Sequence, residues 1–283
     1  MRFRVGNIAV FIPLILIVII FFYLPVFESF LKSLQDLNGD YIGFDRYGEL
    51  LADSEFLDAF WFTIEISFIS TAISIVLSVV IALSLRETFV GKKIALFLNQ
   101  MNISMPHMIM ATMMIYLLGQ KGFISRVLYS LGVIDSWNQF PQIVEYTSPW
   151  GTIISYTLKF TPFICLSVLA VMQSVSQDYE DQSRSLGVGK IRTFFHVTLP
   201  SIWPAVMSTA VMSFTYAFGS FEVPTALLHR KVLSTLVYNR YYDFYNPEGT
   251  LEGYAGSVIM TVIVMILASL FLFLSSRRSD AFE

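Results

Sequence analysis

Glu65, His107, Lys159 and Glu222 are the residues from which this chain could do chemistry, because each lies within an otherwise apolar stretch. A charge near the centre of a bilayer costs about 2.5–3.5 kcal/mol on insertion scales, so such groups belong in a bundle interior, a wet cavity or a paired site. Glu65 and Lys159 have opposite signs. They read either as an ion pair holding two helices or as members of a solute pathway. His107 follows Met105-Pro106 and suits a helix kink. A metal role lacks partners, since His196 and His229 fall in opposite loops. Glu222 stands in Phe218-Gly219-Ser220-Phe221-Glu222-Val223-Pro224, where glycine and proline can interrupt a helix. An interrupted helix opens its carbonyls to a cavity, and a carboxylate there suits a cation or an amine.

The elements that must position these groups follow from composition. Of the 283 residues 55% are hydrophobic, 16% aromatic and only 14% charged, against about 25% charged in soluble domains. A soluble domain and a disordered chain are both excluded. The net charge of −3 gives no basic field for nucleic acid, and the single cysteine, Cys165, excludes an internal disulfide. A bilayer core needs about 20 apolar helical residues. Six stretches meet this, approximately 8–27, 59–85, 94–118, 150–175, 202–228 and 254–275, within a single transmembrane domain over 1–283. A secretory signal peptide would end its apolar stretch in small residues, whereas the first stretch here exits through Leu24-Pro25-Val26-Phe27-Glu28. With both termini inside, ten of the eighteen Lys and Arg residues are cytoplasmic, seven are outside and Lys159 is within a span, the sign expected from the positive-inside rule. The outer segments 32–58 and 119–149 are long enough for short interfacial helices. The third, 229–253, carries Tyr238, Tyr241, Tyr242 and Tyr245, which suit an aromatic belt against lipid or a ligand-stacking surface.

The inner segment 176–200 is too organised for a simple connection. Asp178, Glu180 and Asp181 occupy a first helical turn, with Ser176 as a cap. Leu186-Gly187 reads as a helix end. Phe194, Val197 and Leu199 form a second apolar face, and Pro200 opens the next span. Two short helices joined by a tight turn result.

This segment resembles the cytoplasmic loop of permease subunits in binding-protein-dependent ABC importers. Asp181, Gln182 and Ser183 stand where the family has Glu-Ala-Ala. Gly187 follows at the family's spacing, and Val197-Thr198-Leu199-Pro200 closes the pattern. Gly43-Phe44-Asp45-Arg46-Tyr47, with Leu51, Asp53, Phe56, Ala59 and Thr63, is similar to that family's lead-in to the second span. Gly-Ser-Phe-x-x-Pro at 219–224 resembles its spermidine/putrescine branch. The resemblance implies an all-α type I importer permease with a coupling helix between spans 4 and 5, docked on a separate ATPase subunit that holds ATP and magnesium. Glu180 and Asp181 would serve that coupling, with Asp181 facing the ATPase, Gly187 allowing the turn, and Leu199 and Pro200 setting the return into the membrane. Glu65, Lys159 and Glu222 would line the pathway of a small cationic solute such as a polyamine, with a sugar, phosphonate or iron complex as alternatives. A second, related permease subunit, an extracytoplasmic binding protein and membrane lipid are the implied partners, in a bacterial inner membrane. The chain itself would be no enzyme and hold no cofactor.

Other motifs fail on their own residues. Gly187-Val188-Gly189-Lys190 lacks the first glycine and the Ser/Thr of a phosphate loop, having Arg184 and Ile191 there. Asp36-Leu37-Asn38-Gly39-Asp40 begins like a calcium loop but has Tyr41 and Tyr47 at the required Gly and Glu positions. Gly219-Ser220 lacks the pattern of a nucleophile elbow, which leaves an intramembrane serine hydrolase without support. An ion-coupled secondary transporter using Glu65, Lys159 and Glu222 is the remaining alternative.

Overall fold

The computed structural model describes residues 5–144, 148–174, 178–227 and 231–279, and the regular elements among them are all helical. Arg2, Arg4, Ser176, His229 and Arg230, used above for orientation, capping or ligation, lie outside the described residues. Six helical stretches are long and apolar enough to cross a membrane: Phe11–Ser33, Ser54–Arg86, His107–Ser130, Trp150–Gln173, Lys190–Gly219 and Gly249–Leu270. The number agrees with the sequence expectation. Several boundaries do not, and proline and glycine are the physical reason.

The chain forms two compact units, residues 1–59 with 233–263, and residues 60–232 with 264–283. In the first, α1 (Val5–Val18) passes through a π-helical turn at Ile19–Tyr23 into α2 (Leu24–Ser33), so the helical stretch outruns the expected 8–27. The side chains described on Phe11–Ser33 are largely exposed, as a lipid-facing helix requires. Buried Arg46, in α3 (Asp45–Ala52), donates from Nη1 to the carbonyls of Ser33 (3.3 Å) and Gln35 (2.6 Å), which closes the end of α2. The calcium-like start at Asp36 is a local turn, in which Asp36 Oδ1 accepts the N–H groups of Asn38 and Asp40 at 2.9 and 2.8 Å. The helix α13 (Leu233–Tyr241) packs on α14 (Gly249–Ser279), and a Cβ on Gly256 would come 2.7 Å from Val237 Cγ2. Glycine is required there by close approach.

The second unit is built around α8 (Trp150–Ser174), 67% of whose crossing window is buried. Ile153, Tyr156, Ile164, Cys165 and Val168 form its inward stripe. Most of α4 (Ser54–Arg86) belongs to this unit. It carries a row of small buried residues, Thr63, Ser67, Ser70, Ser74 and Ser78, the last two of which reach α8. Small residues let two backbones approach, and hydroxyls then hydrogen-bond across the gap. Ser78 Oγ donates to the Thr161 carbonyl at 2.7 Å and Ser74 Oγ to that of Thr157 at 3.4 Å.

Two expected spans are interrupted. The stretch 94–118 is α5 (Lys92–Ser104) and α6 (His107–Leu118), parted at Met105-Pro106, where Met105 is extended (φ −73°, ψ 131°) as residues before proline tend to be. α7 (Phe123–Ser130) follows in the segment expected to hold an interfacial helix. The stretch 202–228 is likewise α11 (Leu199–Gly219) and α12 (Glu222–Ala226), parted at the extended Ser220 (φ −68°, ψ 135°). Glu222 therefore opens a short helix beyond the span instead of lying within it.

Candidate functional site

Three arrangements bring together the residues singled out from sequence: an elbow over 178–200 and the two helix breaks. In the elbow, α9 (Asp178–Ser185) ends in a left-handed Gly187 (φ +81°). The Gly187 N–H reaches the Arg184 carbonyl at 2.9 Å and the Val188 N–H reaches that of Ser183 at 3.2 Å, which is a Schellman closure. Space around a Cβ at Gly187 is empty within 4 Å, so the glycine is required by backbone conformation alone. The chain returns through α10 (Lys190–Thr193), a π-helical turn at Phe194–Thr198 and α11. Ser183 and Thr193 hydroxyls meet at 3.1 Å across the elbow. Pro200 lies in the first turn of α11, inside a helical run that continues from α10. It opens no separate helix.

The two acidic residues of α9 diverge. Asp181 is exposed. Glu180 turns inward: its Oε1 accepts Arg86 Nη1 at 2.5 Å and Thr198 Oγ1 at 2.6 Å, and the Arg86 and Glu180 side chains are 11% and 16% exposed. Burial raises the Glu180 pKa, but the hydrogen bonds from Thr198 and Arg86 outweigh it and hold the carboxyl below its usual range. Leu186 and Ile191 project into solvent at 84% and 77% exposure, the apolar tips of the elbow. Beside them Arg184, Lys190, Ile191, Phe194 and Phe195 border a cleft of about 380 Å³.

At the first helix break Lys159 forms no ion pair with Glu65. Its ammonium donates to the carbonyls of Asn102 (3.0 Å), Ile103 (2.8 Å) and Met105. These are among the carbonyls at the end of α5 that Pro106 deprives of helical donors, and a cation there also suits the negative end of the helix dipole. Asn102 Nδ2 returns a bond to the Leu158 carbonyl at 2.7 Å. Lys159 is 8% exposed, a buried cap joining α8 to α5. Glu65, by contrast, lies on the exposed face of α4 between Trp61 (64% exposed) and Phe68 (66%).

At the second break Glu222 Oε2 accepts Ser220 Oγ at 2.9 Å, and Tyr216 OH lies 3.4 Å from both carboxylate oxygens. The Tyr216 ring stacks on His107 (centroids 4.4 Å, planes 26° apart) and meets Phe160 edge-on at 6.0 Å. His107, Glu222 and the interrupted spans thus come together, with Tyr216 as the hub. Lys159 serves its own break, and Glu65 joins neither.

Sequence reasoning passed over several working residues. Tyr216 carried no charge signal. The serine row on α4 repeats at three- and four-residue spacing and was legible in principle. So was Arg240, which in the first unit binds Asp53, Glu55 (3.0 Å) and Glu252 (3.4 Å) together, though Asp53 and Glu55 lie almost two hundred positions away and nothing local announces them.

Six membrane-length helices, an exposed amphipathic elbow and interrupted spans in a buried bundle define a multi-pass transport subunit. Comparison with known proteins agrees. The chain belongs to the family of binding-protein-dependent transport system inner membrane components, which matches residues 74–281. It is an inner-membrane transport component and not an enzyme. The sn-glycerol-3-phosphate transport system permease protein UgpA of Shigella dysenteriae serotype 1 (strain Sd197) is 27% identical over 271 residues, covering 90% of this chain and 88% of that protein. A bacterial ABC transporter involved in import of the acidic polysaccharide alginate has a chain with the same fold (TM-score 0.77, 18% identity, 96% of this chain and 95% of that one). The same holds for a bacterial alginate ABC transporter in complex with its alginate pentasaccharide-bound periplasmic protein (TM-score 0.75, 20% identity, 96% and 94% covered). The expected spermidine/putrescine branch is corrected by these relatives, none of which is named for an amine. The physical reason is that this stretch spans a backbone break at the extended Ser220, between the end of α11 at Gly219 and α12, which holds Pro224, a task independent of what is carried.

Proposed function

We propose that this chain is one permease subunit of an ATP-driven importer and that its cargo is a hydroxyl-rich solute of the carbohydrate class. The observation that carries the transport mechanism is the elbow at 178–200. Its exposed Asp181, Leu186 and Ile191 form a compact surface for a separate ATPase subunit, which would hold ATP and magnesium, while Glu180 ties the same helix to the bundle. On this reading the elbow and both termini lie on the cytoplasmic side, and the segments around α3 and α13 are left for an extracytoplasmic binding protein. A related permease subunit would complete the pathway. Glu65 supports it, because a carboxylate between exposed Trp61 and Phe68 is costly against acyl chains and is better accommodated at a subunit boundary or in the pathway.

The second break supports the cargo class. Half-buried Tyr216 and His107 supply aromatic rings, backed by the buried Phe160, and Glu222 accepts Ser220 Oγ and Tyr216 OH with lone pairs left for further hydroxyl donors. The Lys159 ammonium is taken up by three carbonyls. A neutral hydroxyl-rich ring therefore suits the cluster better than a phosphate, which would call for an available cation. The test is uptake into proteoliposomes holding this chain with its ATPase, second permease subunit and binding protein. ATP should drive uptake of a neutral oligosaccharide in preference to glycerol phosphate or putrescine. Tyr216→Ala and Glu222→Gln should each lower it about tenfold, the factor for one lost hydrogen bond to a charged group, without loss of the ATPase from the complex. Uptake driven by an ion gradient without ATP would overturn the importer reading, and preference for putrescine the cargo class.

A further inference from the structure

Glu180 sits where a force entering α9 can pass directly into two further elements. The covalent route forward runs through Gly187, Val188 and Gly189, where the left-handed Gly187 makes a turn and the Ser183 and Thr193 hydroxyls meet across the elbow. Such a connection transmits displacement weakly. The side-chain route is stiffer. Glu180 Oε1 holds Arg86 Nη1 at 2.5 Å and Thr198 Oγ1 at 2.6 Å. Arg86 is the last residue of α4, and Thr198 is the last residue of the π-helical turn leading into α11. One carboxylate oxygen thereby joins three elements, two of which are membrane-crossing helices. The Phe60–Arg86 portion of α4 is a rod of about 40 Å at 1.5 Å per residue, bonded along its serine row to α8. Charge-assisted hydrogen bonds are short and directional, and one shielded from solvent keeps its geometry under load better than an exposed pair.

We propose that Glu180 is a positioning residue for energy coupling, which makes the end of α4 and the start of α11 move with α9 instead of letting the elbow flex alone. Its role is separate from docking. Asp181 and the apolar tips face outward, whereas Glu180 acts through Arg86 and Thr198 inside the chain. The inference rests on the importer reading above.

The experiment uses the complete complex in proteoliposomes, reading ATP hydrolysis and solute uptake in the same vesicles, with co-purification of the ATPase as the measure of docking. Glu180→Ala is expected to lower the ratio of solute taken up to ATP hydrolysed about tenfold, with the ATPase still bound and the solute KM unchanged. Glu180→Gln, which keeps an acceptor for Thr198 but loses the ion pair, should fall between. The charge exchange Arg86→Glu with Glu180→Arg should recover a large part of the ratio that either single variant loses. An unaltered ratio in Glu180→Ala overturns the proposal, as does a parallel fall in uptake and hydrolysis with loss of the ATPase, which would make Glu180 a docking residue. Failure of the charge exchange to recover the ratio also counts against it. Absence of ATP-driven uptake by the unmodified complex would overturn the importer reading itself, an outcome distinct from the others.

Discussion

Replacement of Lys159 by methionine is the most informative single perturbation of the bundle. Methionine nearly preserves the volume of the lysine stem and removes the three donors. The carbonyls of Asn102, Ile103 and Met105 then lose the partner that replaced the helical N–H groups interrupted at Pro106. An unsatisfied buried acceptor costs about 1–3 kcal/mol. Asn102 and Met105 are half-buried and Ile103 is at the surface, so water recovers part of that cost. Loss of a cation at the helix end adds up to about 2 kcal/mol. Relief of burying the ammonium offsets some of the sum, leaving a net loss of about 3 kcal/mol. For a chain of this size that corresponds to a fall in Tm of about 6–12 °C, measurable by thermal unfolding of the purified complex in nanodiscs. The mechanism makes a second demand. In a Lys159→Met, Pro106→Ala double variant the helix can continue through the break, and the N–H groups of residues 106 and 107 become available to the carbonyls of Asn102 and Ile103. The two substitutions should therefore be non-additive, the double variant melting above Lys159→Met alone. A fall below about 2 °C in the single variant, or strict additivity in the double, would refute the capping argument.

Two further outcomes follow from the same geometry. Gly187→Ala places a Cβ into open space but at φ +81°, a left-handed conformation costing about 1–2 kcal/mol. Solute-stimulated ATP hydrolysis should fall several-fold, whereas Gly187→Asn, which tolerates that conformation, should retain most of it. In the first unit, burial raises the Asp53 carboxyl, but the hydrogen bond and charge of Arg240 outweigh it and hold the pKa below the ordinary 3.8. With the native value depressed, the stabilisation is fully present above 3.8 and is lost as pH falls below it. The melting temperature of the unmodified protein should accordingly decline across that acid range, and Arg240→Met should be less stable at neutral pH with a shallower acid decline. Equal slopes for the two proteins would detach Asp53 from Arg240.

What the sequence disclosed divides by range. Local signals were sufficient for the six apolar helices, for the Gly187 turn and for the placement of Glu180 and Asp181 on one short helix, because each depends on residues a few positions apart. Interruption at Gly219-Ser220 was anticipated from those residues, and a kink at Met105-Pro106 from the proline. The consequence of the second was missed: three carbonyls without donors require a donor, and Lys159, some fifty-five positions on, supplies it. The opposite charges of Glu65 and Lys159 suggested a pair, since hydropathy records that a charge is buried without recording that backbone oxygen can satisfy it. Glu180 illustrates the same limit. Its sequence position fits a helix start equally well whether the carboxylate faces a partner or Arg86, and only the packing of α4 beside the elbow distinguishes them.

Proline placement supplies the remaining link between local sequence and the transmission path. Both π-helical turns, Ile19–Tyr23 and Phe194–Thr198, end two residues before a proline, Pro25 and Pro200. A proline ring in an α-helix collides with the carbonyl four residues earlier and leaves that carbonyl without a donor. A π-turn inserts an extra residue before the proline and widens the ring of atoms at that point, so the helix can pass the proline with less distortion. By contrast Pro13, Pro162 and Pro204 stand inside α-helical segments, so proline alone does not dictate the wider turn. At Pro200 the wider turn carries Thr198, one of the two donors to Glu180. The Leu-Pro pair that resembles the family's signature thus lies in the same helical run as the π-turn that presents Thr198 to Glu180, so the sequence signal and the elbow's internal bond belong to one element.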